Sequence, residues 1–390
     1  MTDPVVRLDK DFVQAPHPVL DELRAQCPVG TVRGITDNPL WILTRDADVR
    51  RALIDPRFAL QGKDITANTV GKRAMDISLM NYDPPLVTEV RRIAIPFLTA
   101  TRLTRFRPAL QRIARDLLSA LPTGRADLVP GFTAPFPFLV LCEVFGIAEA
   151  DRPMLHAWMR TIFDKPRSPA TNAVIDRLDE FVTVEIDRRL AEPGPDVWSD
   201  IATAWRDQHT VTRPQLISLC GMLLLAGFDS AAQAIANCVI AWLTHAELRA
   251  MVDSDPAGVA VAVDEILRRD SPGLFATLRR ASTDIEVGST TIPAGARVLL
   301  SLAAANRDPH RYASPEQLDL DRGTGDRHLA FGLGPHFCPG SALATLEVGV
   351  ALTEFARAFP AARLAVASTD LRWHGSYAGR RLVDLPVWTI

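Results

Sequence analysis

Residues 328–347 read His-Leu-Ala-Phe-Gly-Leu-Gly-Pro-His-Phe-Cys-Pro-Gly-Ser-Ala-Leu-Ala-Thr-Leu-Glu. Gly332, Gly334 and Gly340 bracket one cysteine, Cys338, and the Ala/Leu-rich run that follows should be helical. Glycine opens backbone conformations closed to other residues and lets main chain approach a flat ligand. A thiolate in such a loop, with backbone N–H groups free to point at its sulfur, is suited to ligating a haem iron. The plainer alternative is a buried thiol acting as a small hydrophobe. The spacing of Phe331, Gly332, Gly334, Cys338 and Gly340 argues against it.

The totals narrow the remaining options. The chain has 390 residues and a net charge of −3, so its composition suggests neither a nucleic acid nor an acidic polymer as partner. The cysteines, Cys27, Cys142, Cys220, Cys238 and Cys338, are scattered and odd in number, which fits neither a disulfide framework nor a zinc site. The N-terminus lacks a charged-then-apolar signal pattern, and the apolar runs 136–148 and 216–228 are too short to span a bilayer. A cytoplasmic protein without a membrane anchor is expected.

Along the chain, proline punctuates a first helix at 18–26, and strands follow at 31–34 and 40–44 around a turn at 37–39. A helix over 46–53 is expected to be capped by Asp46. Residues 57–81 read as a long loop with short helical pieces, of the kind that walls a binding site. Asp83-Pro84-Pro85 starts a helix through about residue 97 that carries Arg91 and Arg92. Further helices are expected at about 102–120, 136–145, 151–163, 171–190 and 196–204, with a surface corner at 164–169. Residues 212–250 form the longest helical region. Its middle, residues 223–231, is apolar except for Asp229 and Ser230, which are costly in a buried helix unless partnered. Gly227 weakens that helix by roughly 1 kcal/mol relative to alanine. Ser230 could also simply bond back to the carbonyl four residues earlier. On the next helix Glu265 and Arg268 lie three apart on one face, which alone would be an ordinary ion pair. Strands are expected at 285–287 and 297–302, and residues 373–380 read as a hairpin turn.

The cysteine stretch resembles the haem-binding loop of the cytochromes P450, the haem-thiolate monooxygenases, and the other motifs follow in that family's order over nearly the whole chain. The resemblance implies one mainly α cytochrome P450 domain over residues 1–390, with a large helical part and a small β-rich lobe. It implies haem b held by Cys338 as axial ligand, with Arg91, Arg279 and His336 on the propionates. Phe331, Gly332, Gly340, Ala226 and Gly227 would lie against the macrocycle. Asp229 and Ser230 match the acid–alcohol pair that relays protons to bound oxygen, although serine replaces the usual threonine and Ala231 the next one. Phe228, Leu274, Phe275 and Tyr377 would touch substrate. Glu265, Arg268 and Arg322 match a structural charge network, with Leu318 where phenylalanine is usual. Two further departures are Val87, where a propionate-binding histidine is usual, and Thr345 in place of arginine.

The implied reaction activates O2 with electrons from a ferredoxin and its reductase, docking near Arg91 and Arg92. It would hydroxylate or otherwise oxidise a small apolar or aromatic metabolite, in the manner of bacterial members that tailor secondary metabolites. Rival outcomes are oxidative C–C or C–N coupling or ring formation without net oxygen insertion, a peroxide-driven enzyme, and a non-catalytic haem-binding scaffold.

Overall fold

A computed structural model describes residues 6–34, 38–60, 73–76, 82–164, 168–208, 211–254, 258–322, 327–377 and 379–389. The molecule is assembled around the helix Arg213–Thr244, 32 residues long and buried along most of its length. Pro214 in its first turn needs no intrahelical donor, and the Thr212 N–H donates to Gln215 Oε1 at 2.8 Å. This is the one helix among the described residues long and apolar enough to cross a membrane. Here its apolar surface is spent against neighbouring helices: Pro135–Val144 and Pro169–Ala191 on one side, Ser341–Ala358 on another. Gly227 permits the closest of these approaches, since a Cβ there would stand 2.8 Å from Leu141 Cδ2. The helical cost of that glycine is the condition for packing the two helices together.

The β-rich lobe is a five-stranded sheet in the order Val29–Arg33, Pro39–Leu43, Arg297–Leu300, Arg279–Ala281, Phe58–Ala59. Pro39–Leu43 and Arg297–Leu300 run parallel, and the other pairs are antiparallel. Its apolar face, with Leu43, Val298 and Leu300, packs on the helix Asp46–Ile54 through Val49 and Leu53. The lobe lies against the cysteine loop, because Leu329 and Leu333 belong to the same cluster.

Several expectations change. Asp46 does not cap its helix; buried, it binds Arg50 Nε at 2.7 Å, while its own N–H donates to Asp308 at 2.8 Å. The region 212–250 is two helices, because His245 takes an extended conformation and ends the first. The segment 102–120 divides into Ala100–Leu103, a 3-10 turn and Arg107–Ser119. Not anticipated were the sheet of Gly124–Asp127 with Pro386–Thr389 and Arg363–Leu364, and Thr290–Ile292, which pairs with the expected strand Ile285–Val287. These strands are two to four residues long, too short for alternation to show. Most of the long loop at 57–81, part of the turn at 37–39 and the middle of the corner at 164–169 lie outside the described residues.

Candidate active site

The cysteine loop is closed by its own backbone. The Cys338 N–H donates to Phe331 O at 2.8 Å, Gly332 N–H to Leu329 O at 2.8 Å, and Phe337 N–H to Gly334 O at 3.0 Å. Gly332 and Gly334 have φ of 71° and 74°, a region that glycine enters without penalty. The helix Ser341–Ala358 starts directly after, so Cys338 sits at a helix N-terminus. Burial pushes the thiol up, and the Gly340 backbone N–H and the charge of Arg91 pull it back in part. Such a sulfur is inert as a free thiol, and a bound metal ion deprotonates it outright.

This loop is anchored to a charge network. Glu265 accepts from Arg268 through Nε to Oε2 and Nη2 to Oε1, both at 2.7 Å, and from Arg322 Nε at 3.3 Å. Arg268 Nη1 donates to Asn306 O at 2.8 Å, and Asn306 Oδ1 accepts the Leu329 N–H of the loop at 2.6 Å. Tyr312 lies beneath the guanidinium groups, 5.1 Å from that of Arg268.

Above Cys338 opens a cavity of about 380 Å3. It brings together Cys338, Phe331, Gly332, Gly340, Arg91, Arg279 and His336 with Ala226, Gly227 and Ser230 of the central helix and Phe275 of the lobe. Val87 also reaches it and offers only an apolar surface there. Two guanidinium groups and an imidazole meet at one end. Arg91 Nη2 donates to Phe337 O. Arg279 is 4% exposed, yet its Nε and Nη2 have no hydrogen-bond partner, nor has Nε2 of His336. Burial and the neighbouring arginines hold the His336 imidazole neutral, with a pKa lowered to about 4. Buried donors without acceptors are rare in folded proteins. Here they fit a ligand bearing carboxylates at this end and a flat body over the sulfur, as haem does.

The remaining residues expected at the site lie elsewhere. Phe228 faces away from the cavity into an aromatic cluster, its ring centroid 5.7 Å from Phe163 and 6.2 Å from Phe138. Leu274 is buried in an apolar cluster with Leu8, Phe12 and Leu299. Tyr377 is not in the cavity wall; it stands edge-on behind Phe275 at 6.1 Å and props that ring from outside. Asp229 also points away from the cavity, with Oδ1 2.7 Å from Arg381 Nε on the strand Gly379–Leu382. That N–H is not aimed at the carboxylate, so the contact is an ion pair rather than an aligned hydrogen bond. The same guanidinium donates to Asp164 Oδ1 at 3.1 Å and Phe163 O at 2.9 Å, tying the end of the helix Arg152–Asp164 to the hairpin. Burial raises the Asp229 carboxyl above its ordinary value against the pull of Arg381. Ser230 does reach the cavity, but its hydroxyl donates to Ala226 O at 3.1 Å, the local bond that had been the plainer expectation. Thr345 likewise bonds back, to Ser341 O at 3.0 Å.

Two residues of the site were not anticipated. Arg381 is one. The other is Glu347, on the cavity wall, 2% exposed with Oε2 unpartnered, its carboxyl pushed well above its ordinary value by burial. Its signal was available: Leu343, Glu347, Val350 and Glu354 share the buried face of the cysteine helix, so an acid there falls on an apolar stripe.

A sequence model of the family described as Cytochrome P450 matches residues 259–363. The chain is 33% identical to Cytochrome P450 107B1 of Saccharopolyspora erythraea over 98% of its length and 97% of that protein's. It belongs to the cytochrome P450 family. Among solved structures, ligand-free P450 monooxygenase TamI superposes with a TM-score of 0.90 at 33% identity, over 99% of this chain and 94% of that one. The P450 enzyme CxnD, for C–S bond formation in chuangxinmycin biosynthesis, superposes at 0.87 and 28% identity, over 100% and 98%. The architecture is therefore the mainly helical P450 fold, the protein is a cytochrome P450 monooxygenase, and its family implies a haem-thiolate cofactor. Enzymes of this kind work with redox partner proteins, O2 and small-molecule substrates.

Proposed function

We propose that the cofactor is haem b, bound through Cys338 with its propionates on Arg91, Arg279 and His336, and that the enzyme oxidises a small, largely apolar metabolite in secondary metabolism. The observation that carries this reading is the convergence on one cavity of a metal-competent thiol, a buried arginine and a histidine with orphaned nitrogens, and a wall of small residues, Ala226 and Gly227. Haem bound there would supply reductive activation of O2, with the thiolate favouring O–O cleavage. The chain's own tasks are different. Phe275, Leu223 and Ala276 exclude water and present an apolar surface to substrate. Asp229 and Ser230 handle the proton. Arg381 sets when Asp229 is available, since its guanidinium must let go for the carboxyl to turn toward the cavity. Glu265, Arg268 and Arg322 hold the cysteine side rigid. Arg92, exposed on the helix that carries Arg91, suits the acidic surface of a ferredoxin, which with its reductase would supply electrons in the cytoplasm.

A second reading has a specific basis. Ser230 is committed to Ala226 O and Asp229 to Arg381, so proton delivery is restrained, which favours coupling or ring closure without oxygen insertion. The likeness to CxnD, an enzyme for C–S bond formation, supports this reading. A substrate is first found by the spin-state change it induces on binding. Turnover under isotopically labelled O2 then decides: label in the product supports hydroxylation, and a label-free coupled product supports the second reading.

A further inference from the structure

A second cavity, of about 230 Å3, lies between His17, Asn237, Asp270, Trp373 and Arg380. Its charges do not balance. Asp270 binds Arg269 Nε at 2.7 Å through Oδ2, and its Oδ1 faces Arg307 Nη1 at 3.9 Å and His17 Nε2 at 3.8 Å. One carboxylate thus serves two guanidinium groups and an imidazole. Arg380 has no carboxylate within ion-pair distance among the described residues. It donates Nε to Val13 O at 2.7 Å and Nη2 to Gln14 O at 3.0 Å, and stacks 3.6 Å over the Trp373 ring. Burial lowers this guanidinium to about 10. Nδ1 of His17 is buried and has no partner.

The first cavity shows what this pattern means. There a buried arginine and a histidine with an orphaned nitrogen mark the end suited to haem carboxylates. Here Arg380, half-buried and bonded only to main-chain carbonyls, and His17, with its orphaned nitrogen, line a separate polar space, and charge withdrawn from water without a counter-ion is costly. We propose that the second cavity is a binding site for a small oxyanion of the size of phosphate or sulfate, held by Arg380 and His17. Arg380 is followed on its strand by Arg381, so an anion there braces the strand that carries the partner of Asp229. His17 faces Arg307, Asp270, Arg380 and Asp21, and burial with the two arginines holds it neutral, at about 4. An anion offsets those arginines and raises that value. Binding therefore takes up a proton and tightens as pH falls toward the unliganded value.

The test is calorimetric titration of the holoenzyme with sulfate, whose charge is constant over the range, against chloride at matched ionic strength, from about pH 8 to about pH 5. Saturable binding that tightens toward low pH is expected. Arg380→Gln should weaken it roughly tenfold or more, as loss of a charged hydrogen bond does. Asp270→Asn, which removes a like charge, should tighten it, and His17→Gln should remove the pH dependence. Heat that follows ionic strength regardless of the anion, or sulfate binding indifferent to Arg380→Gln and to pH, means an adventitious ion only and overturns the site. Should Arg380→Gln fail to fold, Asp270→Asn decides: tighter binding supports the site and unchanged binding overturns it.

Discussion

The cysteine loop lines the cavity with Cys338, while of the polar pair on the central helix only Ser230 reaches it and Asp229 turns away, and the two regions are held in opposite ways. The loop is fixed by hydrogen bonds within ten residues of Cys338 and by a buried ion network behind it. Asp229 is positioned by a guanidinium from the far end of the chain, and the same group holds the end of the helix Arg152–Asp164. One side is rigid and locally encoded. The other is a single contact at the junction of three elements, which one residue can release.

The largest expected effect is on the rigid side. Glu265→Ala leaves Arg268 buried without its partner and should destabilise the protein by about 3–5 kcal/mol, read by chemical denaturation. A loss below about 1 kcal/mol, the range of a surface pair, would show that the network does not hold the loop. Arg279→Gln removes a proposed propionate partner; haem should be retained more weakly, seen as faster transfer to an acceptor protein, with the fold kept.

The distal contact responds more subtly. Arg381→Gln removes the charge that lowers the Asp229 carboxyl, so that value, already raised by burial, rises further. The pH profile of turnover should shift upward and the hydrogen peroxide released per product should change, while thermal stability moves little. An unaltered profile would mean that Arg381 does not control Asp229. The smallest effect concerns Glu347. An acid whose folded value is raised holds a proton that the unfolded chain has lost, so it costs stability as pH rises above the unfolded value. Glu347→Gln should flatten the decline in melting temperature from about pH 5 upward, with little change below the unfolded carboxylate value near 4.

The same contrast governs how much the sequence disclosed. The cysteine loop was legible because its geometry is set by glycines and a proline within the segment. The Glu265–Arg268 contact was legible because acid and base stand one turn apart on a helix, and Arg322 was added by the family resemblance. The direction of Asp229 was not legible. It follows from the register of a hairpin in which Arg381 stands opposite His374, and from where that hairpin docks. Phe228 failed for a related reason: a helix apolar on nearly every face gives no periodicity to say which residue points at a ligand. Tyr377 was placed at the right hairpin but one layer too far inward, since Phe275 intervenes.

The central claim is that Cys338 is the thiolate ligand of a haem iron. The most direct measurement is the difference spectrum of the reduced carbon monoxide complex, wild type against Cys338→Ala. The wild type should give the red-shifted thiolate band and Cys338→Ala should lack it, with haem either lost or bound without that band. Persistence of the band in Cys338→Ala would contradict the account.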